Sequence, residues 1–186
     1  MEVKILKECG YEEALLGISL SRNQPVENMS KVAEILAPKD GGRNKFLESI
    51  YVWLDVTAPR FWWQEADTYR LSTKQSASSM YLITTRHFEQ KDFEYEIPLG
   101  ILDELNSYIN NYMSSDGDDE ALKIAKEFYF MAIKNILPEG FLQKRIWAMN
   151  YKCLRNICFQ RKNHRLPQWR YFCQEVVKQI EHPEFL

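Results

Sequence analysis

The side chains able to do chemistry in this 186-residue chain fall into three sets: thiols and imidazoles, amides, and a crowd of cations. The first set is Cys9, Cys153, Cys158 and Cys173 with His87, His164 and His182, and none of it forms a CxxC pair. A structural zinc site wants tighter spacing, so metal binding is not expected. Cys153 and Cys158 lie in an apolar, helix-like segment where thiols pack as small hydrophobes. The sequence has no Gly-rich phosphate loop, GxGxxG, HExxH or GxSxG, and Gly41-Gly42 reads as a turn. Nucleophilic catalysis therefore lacks local support. An enzyme with this inventory would draw its chemistry from a bound cofactor.

The cations are concentrated. From Phe141 to Arg170 there is no acid, yet Lys144, Arg145, Lys152, Arg155, Arg161, Lys162, Arg165 and Arg170 all fall there, in a chain of net charge −2. Thirty residues without an acid suggest a surface that meets something anionic, or else a solvated face paired with acids elsewhere in the fold. Nucleotide phosphate, flavin pyrophosphate and nucleic acid are the candidate anions.

Elements must hold these groups in place. With 45% apolar residues and 25 aromatic ones (10 Phe, 10 Tyr, 5 Trp) the chain can bury a sizeable core as one domain, 1–186. Helical patterns cover Glu12–Leu20 and Val26–Leu36, and Ile50–Thr57 reads as a buried strand. Pro59 suits the first turn of a helix through FWWQEADTY. Arg70–Ser79 is polar, reads as a loop, and is a plausible binding element beside an aromatic segment. Helices follow at Leu99–Met113 and Glu120–Ile136, the second stopped by Pro138. Phe141–Met149 is compatible with an extended segment, Asn150 with a helix cap, and Gln168–His182 with a last helix. The sum is an α/β or α+β fold with more helix than strand. No apolar run approaches the roughly 18 residues of a membrane span. The start, MEVKILKECG, lacks a signal-peptide core, which points to the cytoplasm and to reduced thiols.

Two segments then stand out together. APRFWWQEADTYRLSTKQSASSMY resembles the signature region of flavin-dependent thymidylate synthases: an Ala-Pro strand end, an Arg-His-Arg triplet, seven free residues and a Ser. Thr68-Tyr69-Arg70 occupies the triplet and Ser78 the serine. FLESIYVWLDVTAP is similar to the strand leading into that site. Independently, ILPEGFLQKRIWAMNYKCLRNICFQRKNHRLPQW resembles the family's C-terminal stretch, with Leu137-Pro138, Asn150, Asn156, Arg161 and Gln168-Trp169 as counterparts. The two regions cover under half the chain, and their wording is closer still to a divergent, phage-encoded branch.

The resemblance implies a central sheet with flanking helices and a homotetramer in which FAD and dUMP stack at subunit interfaces. It implies methylation of dUMP to dTMP, with methylenetetrahydrofolate as carbon donor and NADPH as reductant, and no protein nucleophile. By the same carry-over Tyr69, Arg70, Asn150 and Asn156 contact flavin. Ser78 orients the nucleotide, Gln75 and Ser76 belong with it on the substrate side, Lys134 stands where the family uses Arg against nucleotide, and Arg161 grips the uracil as a fixed cation. There are departures. Thr68 and Tyr69 replace the first Arg and the His of the triplet, Met80 stands where an Arg would anchor phosphate, and a flavin-holding His is replaced around Arg43. Lys134 keeps charge without a bidentate fork. Lys74, Lys144 and Arg145 are the cations that could compensate.

Three functions compete. One is an FAD-dependent pyrimidine deoxynucleotide methyltransferase. Another is a degenerate phage relative that binds a nucleotide or a host protein, for example against host defence. Direct nucleic-acid binding ranks last, since the resemblance already accounts for the cations.

Overall fold

The four strands order as β1-β2-β4-β3 in one sheet, in a computed structural model that describes residues 1–186, the side chains of Ser79 and Met80 excepted. The strands are β1 (Glu2–Cys9), β2 (Tyr51–Pro59), β3 (Ser72–Ser76) and β4 (Leu142–Asn150). The helices are α1 (Tyr11–Arg22), α2 (Met29–Leu36), α3 (Arg60–Ala66), α4 (Ser79–Leu82), α5 (Leu99–Ser114), α6 (Glu120–Ile136), α7 (Tyr151–Arg161) and α8 (Pro167–Gln179). Strands β1 and β2 pair antiparallel, with a bulge between Ile5 and Lys7. The fold is mixed helix and sheet, as the sequence pattern indicates. Two segments differ from that pattern. β1 was not expected, and Ser72–Ser76, read as loop, pairs into the sheet.

By contacts the chain divides into two compact units. The first comprises residues 1–57, 64–75 and 144–186. Its interior holds Val52, Leu54 and Val56 of β2, Trp147 and Met149 of β4, Leu154 and Ile157 of α7, and Trp169, Phe172 and Val176 of α8, all fully or nearly fully buried. Alternation along β2 buries every second side chain, which is what a strand with one face on a core requires. Trp147 meets Phe172 at a tilt, 5.6 Å between centroids, and Trp169 meets it edge to face at 5.8 Å. Where β1 turns into α1, Gly10 takes φ 93°, and a Cβ there would land on the Ser49 carbonyl oxygen. Only glycine fits.

The second unit comprises residues 58–63 and 76–143. Ile83, Phe88, Phe93, Leu105, Ile109, Ile133 and Leu137 form its core. Helices α5 and α6 pack as a hairpin across the SSDGDDE turn, and Asp119 caps α6 by accepting from the Ala121 N–H at 2.8 Å. Trp62 and Trp63 are fully buried and meet edge to face at 4.9 Å. They are core residues rather than stacking platforms. Among the described residues, no helix is long and apolar enough to cross a membrane.

Candidate functional site

A cleft of about 700 Å³ opens in the first unit, lined by Thr68, Tyr69, Arg70, Leu71, Asn150, Lys152, Cys153, Arg155, Asn156 and Phe159 together with Pro38, Asp40, Asn44 and Glu48. Two junctions build it. Where α3 ends, Thr68 and Tyr69 return their N–H groups to Glu65 and Ala66, and this tight turn projects Tyr69 and Arg70. Where β4 ends, Asn150 caps α7 by accepting from the Cys153 N–H at 2.9 Å. Gln160 follows Asn156 one turn on along α7, at the i, i+4 spacing that places two side chains on one helix face, and Arg161 ends the helix.

Arg161 is held from several sides. Its Nε donates to the Tyr69 hydroxyl at 2.8 Å and its Nη1 to Glu65 Oε2 at 2.9 Å. Nη1 also lies 2.8 Å from His164 Nε2. The guanidinium stacks over Trp169 at 4.9 Å and Tyr69 at 5.6 Å. Glu65 Oε2 takes a further bond from Trp169 Nε1 at 2.8 Å. A planar fork set against two rings and anchored by a carboxylate has a fixed direction.

The Tyr69 hydroxyl in turn donates to Gln160 Oε1 at 2.9 Å, and Gln160 Nε2 donates to Asn156 Oδ1 at 3.1 Å. The oxygens of Asn150 and Asn156 are thus used inside the protein. Their NH2 groups have no partner among the described residues and are available to an acceptor. Arg70 has no acid partner among the described residues, and Arg155 spends one Nη on the Phe185 carbonyl at 2.8 Å. Lys152 pairs with Glu48 at 2.5 Å. Burial pushes the Cys153 thiol up, so this cleft-wall cysteine is a poor nucleophile.

These donors suit FAD. Two amide NH2 groups match carbonyl and ring-nitrogen acceptors, Arg70 and Arg155 bring charge for a diphosphate, and exposed Phe159 and Leu71 offer apolar surface. The three cations expected to compensate for missing phosphate contacts each have a partner within this chain. Lys144 binds Asp55 at 2.8 Å and Arg145 binds Asp67 at 3.0 Å. Lys74 lies over the Trp147 ring at 4.9 Å, bonded to the Tyr69 carbonyl and Ser72 Oγ. Its burial, with the Arg145 charge beside it, holds its ammonium below the usual range against the opposing pull of Asp67.

Of the residues singled out in the sequence, Tyr69, Arg70, Asn150 and Asn156 line the cleft, and Arg161 joins them through Tyr69. Gln75 ends the first unit's part of β3 and is exposed. Ser76, Ser78 and Lys134 belong to the second unit. There Ser78 precedes α4 without a side-chain cap bond, and the Lys134 ammonium sits 5.4 Å over the Phe130 ring. The Met80 position lies outside the described side chains. Sequence reasoning missed Glu65, Gln160 and the part His164 and Trp169 play around Arg161. An isolated Glu beside WW, and a Gln four residues after Asn156, were the available signals.

No protein-family model matches the sequence, and no curated protein matches it. Among the solved structures whose fold aligns with it are two of flavin-dependent thymidylate synthase from Helicobacter pylori, each complexed with FAD and dUMP. One aligns at TM-score 0.74 with 14% identity, covering 100% of this chain and 97% of that one. The other aligns at 0.72 with 13% identity, covering 98% and 95%. The chain has the fold of the flavin-dependent thymidylate synthases.

Proposed function

We propose that this chain is an FAD-dependent enzyme of pyrimidine deoxynucleotides, its reaction the methylation of dUMP to dTMP with methylenetetrahydrofolate and NADPH. The observation that carries the reading is the meeting of Tyr69, Arg70, Asn150 and Asn156 in one cleft. These are the residues the resemblance assigns to flavin, and they come from two segments some eighty residues apart. FAD, when bound, supplies the electron-transfer and one-carbon chemistry. Asn150 and Asn156 would donate to its acceptor atoms, and Arg70 would offset its phosphate charge. Arg161, held by Glu65 and Tyr69, is a preset cation for charge developing on the uracil. Gln75, Ser76, Ser78 and Lys134 are proposed for the nucleotide, with Ser78 as the orienting hydroxyl. The whole chain acts as one domain within a cytoplasmic homotetramer of a phage-type branch, whose neighbouring subunits complete the phosphate site.

A second reading has its own observation. Arg161, Lys74, Lys144 and Arg145 are all engaged with acids of this chain, as expected of a relative that has lost its reaction and binds a nucleotide or a host protein. Nucleotide-dependent oxidation of NADPH separates the two. Oxidation by the pure protein with FAD, folate and dUMP supports the enzyme; its absence, with dUMP or FAD still bound, supports the second reading.

A further inference from the structure

We infer that Gln160 is a positioning residue that turns Asn156 so that the cleft meets an N–H donor and not a carbonyl. The ligand's identity rests on the FAD reading, but the polarity does not. An arginine Nε can only donate. The Tyr69 hydroxyl receives that bond at 2.8 Å and gives its own proton to Gln160 Oε1 at 2.9 Å. Gln160 therefore accepts with Oε1, which leaves Nε2 facing Asn156 at 3.1 Å. Asn156 accepts with Oδ1, and its NH2 turns to the cleft. The donor character of one guanidinium is passed through two side chains to a third. Asn150 reaches the same polarity by another route, because the Cys153 backbone N–H that its Oδ1 accepts cannot reverse. The cleft thus presents two amide donors beside Arg70, and selects a ligand edge rich in acceptors: carbonyl oxygens, unprotonated ring nitrogens or phosphate oxygens. A triplet His at Tyr69 would not impose this order, since an imidazole can reverse its tautomer.

Neutron diffraction from a deuterium-exchanged crystal of the ligand-free full chain tests the polarity directly. Two deuterons on the cleft-facing atom of Asn156 are expected; an oxygen there overturns the inference, whether or not FAD binds. A double-mutant cycle with FAD as probe then reads the consequence. Gln160→Glu leaves Tyr69 its acceptor but draws the Asn156 NH2 inward, and FAD affinity should fall about ten-fold. Gln160→Met imposes no orientation and should cost less than about three-fold. In an Asn156→Ala background, Gln160→Glu should cost less than about two-fold, because no amide remains to turn. A ten-fold loss persisting there would mean simple charge repulsion and overturn the inference. Wild-type protein without FAD affinity would instead overturn the functional reading, with the polarity still decided by the neutron map.

Discussion

Arg161 Nη1 and Trp169 Nε1 both donate to the single oxygen Oε2 of Glu65, at 2.9 and 2.8 Å. The carboxylate from the end of α3 thus ties the last turn of α7 to the first turn of α8, and the fork of Arg161 is aimed by it. Removing its charge leaves a mostly buried guanidinium without a counter-ion.

Glu65→Gln should therefore lower stability by about 1–2 kcal/mol, discounted for the partial exposure of the carboxylate. For a chain of this size that is a fall of about 2–8 °C in Tm by differential scanning calorimetry. An unchanged Tm would mean that the pair adds nothing.

Tyr69→Phe keeps the ring against Trp169, 6.0 Å away, but removes the hydroxyl that joins Arg161 to Gln160. The expected result is FAD binding weakened less than about three-fold, as the ordering of Asn156 relaxes without being reversed, with less than about 1 kcal/mol lost from folding. Fluorescence titration and thermal melts on the same samples check the split.

Tyr151 gives a pH signature. Its fully buried hydroxyl donates to the Glu8 carboxylate, and burial together with that carboxylate pushes its pKa well above the ordinary 10.0. The native state keeps the proton that the unfolded chain releases, so this contribution is intact below about pH 10 and falls away as the pH rises above it. Urea midpoints from pH 8 to 11 should drop more steeply for the wild type than for Tyr151→Phe. Parallel curves would contradict the assignment.

Gly10→Ala places a Cβ at φ 93° and against the Ser49 carbonyl oxygen. A loss of at least about 2 kcal/mol is expected from the conformation and the clash together. Gly41→Ala, also at positive φ but with open space around it, should cost only about 1–2 kcal/mol. Comparing their denaturant midpoints isolates the clash.

How much of this could be read beforehand differs by element. The bounds Glu120–Ile136 of α6 follow from acids at its start and Pro138 after its end, and the structure returns them unchanged. Asn150 as a cap followed from its place before an apolar helix. β1 escaped because the bulge between Ile5 and Lys7 breaks its alternation. β3 escaped because its inward positions are Ser72 and Lys74, which carry no apolar signal. In the cleft, the residues found were those with local motif spacing. Glu65 and Gln160 were not, because their partners stand 104 and 91 residues away in sequence, and pairs that distant become visible only once the chain has folded.

The central claim is that this cleft holds FAD beside a pyrimidine nucleotide. The visible absorption spectrum of freshly purified protein, repeated after adding FAD and then dUMP, tests it most directly. The account predicts the bands of bound oxidised flavin, perturbed again by dUMP. A colourless protein whose spectrum remains the plain sum of its own and free FAD's, with or without dUMP, would contradict it.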